Sequence, residues 1–148
     1  MSTRALIMLE EANGETSVIY THWDGYPEHH GPILLRDYAD EKSARDLIAL
    51  GDLSKLDSST KCPPGHSYDT PKKGYCIAYG RDRKEKGVEA RKFSSLERAE
   101  KDVPESYWDV DYLYLFFVKT GIWSVSVPGK SWSSLAIFVE QLRKSGTI

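Results

Sequence analysis

The chain has 148 residues, 40% apolar and 28% charged, the size and make-up of one globular domain. A net charge of −2 argues against extended nucleic acid as a partner, since gripping a polyanion takes a clear excess of basic side chains. No apolar run approaches the roughly 20 residues that cross a bilayer, and Met1-Ser2-Thr3-Arg4-Ala5 lacks a signal peptide's apolar core, so no membrane partner and a cytoplasmic location are expected.

Arg4 to Leu9 is a short apolar run, Asn13-Gly14 is a hairpin dipeptide, and Ser17 to Trp23 returns with β-favouring residues. Strand alternation puts Val18, Tyr20 and His22 on one face of that return strand and Ile19, Thr21 and Trp23 on the other. The next residues, through Gly31, read as a rigid turn. Pro32 to Tyr38 can start a helix, and Glu41 to Leu50 makes another, with Ala44, Leu47 and Ile48 on one face and Gly51 as its stop.

Residues 52–74 carry Ser58-Ser59-Thr60, Pro63-Pro64-Gly65 and Pro71 without periodicity, and read as a long loop. Tyr75 to Tyr79 is a strand, Gly80 to Lys86 a charged turn or strand extension, and Gly87 to Phe93 can pair back. The basic residues Arg81, Arg83, Lys84, Lys86, Arg91 and Lys92 are interrupted by acids, as in a solvated hairpin. Ser94-Ser95-Leu96-Glu97 has capping-box spacing for a short helix through Lys101. Val110 to Val118 is apolar apart from Asp111, as a central strand covered on both faces should be, and Ile122 to Val127 alternates. Ser131 is a good N-cap for a last helix through Trp132, Leu135, Val139 and Leu142. Trp108 suits a core or a surface equally. The order of elements predicts a single α+β domain: a mainly antiparallel sheet with helices packed on one face.

The segment His22-Trp23-Asp24-Gly25-Tyr26-Pro27-Glu28-His29-His30-Gly31 holds three of the four histidines, two acids and two aromatics. Three chemistries fit it. His22, Asp24, His29 and His30 are ligand types for zinc, though their spacing is no known metal signature, and neither a metal nor another cofactor is assigned. A histidine oriented by Asp24 or Glu28 could act as a general base, with His66 and Asp69 of the long loop closing over it, although no nucleophile stands in a diagnostic context. Binding is the favoured reading. Tryptophan, tyrosine and arginine dominate recognition energies, and Trp23, Tyr26, Tyr79 and Arg81 lie in or beside the predicted loops. The plain structural alternative makes Asp24 and Gly25 a turn, buries Trp23 as its anchor and leaves the histidines exposed on its rim. The two cysteines, Cys62 and Cys76, are expected as free thiols, with Cys76 buried.

The strings His22-Trp23-Asp24-Gly25-Tyr26-Pro27 with Gly31, Leu50-Gly51-Asp52-Leu53-Ser54 and Tyr79-Gly80-Arg81-Asp82 resemble a family of small uncharacterised proteins of bacteriophages and prophages. The resemblance spans roughly Thr3 to Glu89. It implies a phage accessory protein in the bacterial host cytoplasm, acting on host machinery or host defence, and supplies no catalytic residue. The function expected is therefore non-enzymatic binding of a host protein or a nucleotide-like signal through His22, Trp23, Asp24, Tyr26, His29, His30, Tyr79 and Arg81. The alternative is a small metal- or histidine-dependent phosphoester or nucleotide hydrolase.

Overall fold

A computed structural model gives the fold and describes residues 2–106 and 110–148, so the reading of Trp108 falls outside the described residues. Strands β1 (Ala5–Glu10) and β2 (Thr16–Trp23) form the N-terminal hairpin, and helices α1 (Pro27–Asp37) and α2 (Glu41–Ala49) carry the chain to β3 (Leu53–Lys55). Then come β4 (Ile77–Ala78), α3 (Tyr79–Arg83), β5 (Arg91–Phe93) and α4 (Leu96–Ser106). The chain ends with β6 (Tyr112–Phe117), β7 (Ile122–Ser126), β8 (Ser133–Ser134) and α5 (Leu135–Lys144).

One sheet runs in the order β4-β3-β2-β1-β6-β7-β8, with β5 also on β2. Its pairings are antiparallel except β1 with β6 and β2 with β3, so the domain is α+β with a mostly antiparallel sheet. On one face, Ile7 and Leu9 of β1 and Tyr114 and Phe116 of β6 pack with Leu34, Leu47, Leu135 and Val139, which brings α1, α2 and α5 together as expected. The other face is not bare: Leu6, Met8, Val18 and Leu115 pack with Leu96 and Ala99 of α4. The apolar run of β6 already required this, because a strand greasy on both faces needs cover on both. Each large side chain so buried contributes roughly 1.5–3 kcal/mol.

Several boundaries differ from those expected. Helix α1 begins at Pro27, not Pro32, and so takes in half of the predicted turn. Both prolines suit a first turn, and Pro27 occupies it; Pro32 sits inside the helix and forfeits one backbone bond. Packing carries the helix through. A side chain added at Gly31 would stand 2.5 Å from Val139 Cγ2, so glycine is what lets α1 lie against α5. Ser134, not Ser131, caps α5 by accepting from the Ile137 amide, and Trp132 joins the opposite core before the helix begins. Ser95 caps α4 by accepting from the Arg98 amide at 3.0 Å.

The predicted 52–74 loop contains β3 and is tied down through its length. The Cys76 amide donates to the Ser59 carbonyl at 2.8 Å, and the Ser59 amide to the Gly74 carbonyl at 3.1 Å. Where β3 begins, β2 has lost one neighbour and not yet gained the next: β5 reaches only Val18 and β3 starts opposite Thr21. The Tyr20 amide lies in this gap and donates to Asp52 Oδ1 at 2.9 Å, while Arg91 of β5 binds both Asp52 oxygens at 3.0 and 3.1 Å. Gly51 makes that placement with φ +74, where a side chain would meet the Val88 carbonyl oxygen at 2.4 Å. Gly51→Ala is expected to cost about 2 kcal/mol or more, read as a lower urea midpoint at unchanged slope.

Candidate functional site

Strands β2 and β3 run parallel and finish side by side, with Trp23 opposite Lys55. After Trp23, Asp24 takes a left-handed conformation (φ 58) and Gly25 passes so near Ala5 that a side chain there would stand 2.7 Å from the Ala5 Cβ. The Gly25 amide donates to the Thr3 carbonyl at 2.8 Å, and its carbonyl accepts from the Tyr114 hydroxyl at 2.6 Å. This clamp fixes where α1 starts, and with it the histidines.

His30 is wholly buried, the reverse of an exposed rim position. Its ring stacks at a tilt 5.3 Å from Tyr114, its Nε2 lies 3.0 Å from Thr21 Oγ1, and its Nδ1 lies 3.0 Å from His29 Nδ1. Thr21 donates its one hydroxyl proton to the Ala5 carbonyl at 3.4 Å. The Asp24 backbone carbonyl stands within hydrogen-bonding reach of both rings. Burial, and then the neighbouring His29, push the His30 pKa well below its ordinary 6.5. Burial lowers that of His29 as well, with Lys55 adding to it against Asp24 and Asp57. Both rings are neutral at pH 7.

His29 is half-buried, and its Nε2 makes no side-chain hydrogen bond among the described residues. Around it stand Tyr26, whose ring edge meets the His29 ring at 6.2 Å, Asp24, which accepts from the Tyr26 hydroxyl at 3.3 Å, and Lys55, 3.8 Å from Asp57. Trp23, which the plain structural alternative buries as an anchor, is 45% exposed and braced edge-on by His22 at 4.7 Å. His22 lies on the Tyr20 side of the strand, as alternation predicts, with its Nδ1 2.8 Å from the Tyr20 hydroxyl.

The structure thus brings together His22, Trp23, Asp24, Tyr26, His29 and His30, and leaves Tyr79 and Arg81 elsewhere. Because β4 runs antiparallel to β3, Tyr79 follows Ala78 at the start of β3, where its amide donates to the Asp52 carbonyl at 3.2 Å. Tyr79 lies instead by Tyr68 (ring centroids 6.0 Å), over which the Arg83 guanidinium sits at 4.6 Å. Arg81, expected in a charged turn, lies on α3 and holds the long loop. It donates to the Thr60 and Cys76 carbonyls and grips its neighbour Asp82 through Nε at 2.9 Å and Nη2 at 3.1 Å. Nor is His66 a lid residue for the histidine cluster. It accepts from the Lys72 amide at Nδ1 (2.9 Å), donates from Nε2 to the Cys76 carbonyl (3.0 Å), and has Asp82 at 3.4 Å. Both cysteines are free, Cys62 exposed and Cys76 buried.

Thr21, Lys55 and Asp57 belong to the site and were not legible in the sequence. Thr21 alone gave a signal, as a hydroxyl on an otherwise apolar strand face. Among the described residues no three His, Cys, Asp or Glu side chains group as metal ligands, and no helix is long and apolar enough to cross a membrane. The chain matches no protein-family model, no curated protein and no solved structure.

Proposed function

We propose that this is a non-enzymatic binding protein, a phage accessory protein whose partner is a protein of the bacterial host cytoplasm. It binds through the surface where β2 and β3 end. The observation that carries this reading is the exposure of Trp23, 45% open to solvent at the rim of the sheet while Trp123 is 3% exposed in the core. An indole held by a neighbouring ring and left in water has the features of an interface anchor: large contact area and little rotamer entropy left to lose.

Trp23→Ala is expected to weaken host-protein binding at least tenfold, about 1.4 kcal/mol, while the melting temperature stays within a few degrees. Affinity capture from lysate, followed by titration of the captured protein, measures both. Equal retention by wild type and variant would remove this surface from the interface.

A second reading rests on the hydrogen-bonded chain from Thr21 through His30 to His29. His29, half-buried and joined to His30 at 3.0 Å, has its pKa lowered by burial, and a neutral imidazole at the surface is the group that the phosphoester hydrolase alternative needs as a general base. Turnover of a phosphoester panel, abolished by His29→Ala and untouched by Trp23→Ala, would favour it over binding.

A further inference from the structure

The long loop lies on α3, and a few contacts hold it there. The Tyr68 amide donates to the Asp82 carbonyl at 3.1 Å, Arg81 grips the Thr60 carbonyl, and the His66 ring has Asp82 at 3.4 Å on one side and the Lys72 amide at 2.9 Å on the other. Residues 61–89 carry seven basic and four acidic side chains in a chain of net charge −2, so this face is positive while the rest of the molecule is net negative. Arg81 and Asp82 neutralise each other within it. Among the described residues Lys61, Lys72, Lys73, Lys84 and Lys86 make no ion pair. Of the three remaining acids, Glu85 stands 3.8 Å from Arg83, and Asp69 and Glu89 are exposed.

Arg83 is held in place at this face. Its guanidinium lies 4.6 Å over the Tyr68 ring and 5.9 Å from the centre of the Tyr79 ring. Among the described residues it makes no hydrogen bond, the Glu85 carboxylate being too distant for one. A guanidinium packed by its flat side keeps the N–H groups of its edge for an acceptor.

We propose that this face docks an acidic segment of a partner protein, one carboxylate of which takes the N–H edge of Arg83 while its neighbours sit in the field of the surrounding lysines. A carboxylate matches the planar fork, and ammonium groups within a screening length of about 8 Å add to the attraction without touching the segment. A nucleic acid strand fits less well. Its charge continues in both directions, and beyond residues 61–89 it would meet a surface of its own sign. The face is separate from the Trp23 rim, since Tyr79 stands at the start of β3 and Trp23 opposite its end, so either surface can fail without the other.

The full chain is titrated with acetyl-Glu-Asp-Glu-Asp-Glu-Asp-amide, its glutamine–asparagine counterpart and hexathymidylate, while backbone amides and arginine Nε–H groups are followed by nitrogen-15 NMR. The acidic peptide should shift the Arg83 Nε–H and the Lys72 and Lys84 amides saturably, with an affinity that falls as salt rises. The neutral peptide should shift none of them, and hexathymidylate should bind at least fivefold more weakly. Arg83→Gln and the double variant Lys72→Gln with Lys84→Gln should each weaken the acidic peptide at least fivefold. Lys92→Gln on β5, whose ammonium acts on Glu11, should leave it unchanged. Should Arg83→Gln melt early, the lysine pair carries the test.

No saturable response to the acidic peptide overturns the proposal. So does wild-type affinity in the folded variants, or an equal loss in Lys92→Gln, which would mean diffuse attraction without a site. Hexathymidylate binding as tightly as the peptide would assign the face to nucleic acid instead.

Discussion

Asp82→Ala is expected to destabilise the fold by about 3–5 kcal/mol, the cost of stranding a buried charge's partners, and to lower the melting temperature by roughly 10–15 °C. The Asp82 side chain is fully buried, and three elements converge on it. It accepts from the Ala78 amide at 2.8 Å and from Arg81, and it faces His66 at 3.4 Å. Burial alone would raise its pKa, yet the Arg81 guanidinium and the Ala78 amide outweigh it and hold the carboxyl below its ordinary 3.8. Removing the carboxylate leaves Arg81, 26% exposed, without its counter-ion and the Ala78 amide without an acceptor. Arg81 also ties the Thr60 and Cys76 carbonyls, so the long loop should loosen with it. Faster amide exchange at Ser59 and Cys76 than in β6 would locate the loss. A melting temperature within 3 °C of wild type would show that this network does little for stability.

Acid should unfold the protein through a different pair. In the unfolded chain His29 and His30 take up protons near pH 6.5, whereas in the fold their pKa values lie lower, that of His30 far lower. The unfolded state therefore binds more protons across this window, and stability rises with pH. The contribution is fully present above 6.5 and is lost as the pH falls below it, at about 1.4 kcal/mol per unit for each proton. His30, with the larger shift, should carry most of this loss. Urea unfolding of wild type and His30→Gln from pH 8 to 5 checks this. The variant should start less stable and lose stability more slowly, by about one proton. Equal slopes would mean that His30 titrates alike in both states. The Asp82 contribution enters with the same sign but only near and below pH 4, since its folded pKa lies under its ordinary value.

Where the sequence was read by periodicity, structure and expectation agree closely. The hairpin about Asn13-Gly14, the α2 face of Ala44, Leu47 and Ile48, and β6 between its neighbours all follow from apolar spacing and turn chemistry. Where it was read by local polarity, agreement weakens. Arg81 was read in a solvated charged hairpin, but on α3 it pairs with Asp82 and ties the Thr60 and Cys76 carbonyls of the long loop. The plain structural alternative made Trp23 a core anchor, but as the last residue of β2 it is 45% exposed.

The sequence by itself determined a single α+β sheet domain with a two-faced central strand, because alternation and helical spacing are local properties. It also marked residues 22–31 as the place where chemistry concentrates. Only the tertiary structure decided what that segment is. Two neighbouring histidines on a helix point about 100° apart, so which one is buried depends on the residue at which the helix starts. That start is set by contacts far along the chain: Thr3 and Tyr114 clamping Gly25, and Val139 admitting only glycine at position 31. With α1 begun at Pro27, His30 turns into the core against Thr21 and Tyr114, His29 is left half-buried, and Trp23 is freed at the rim.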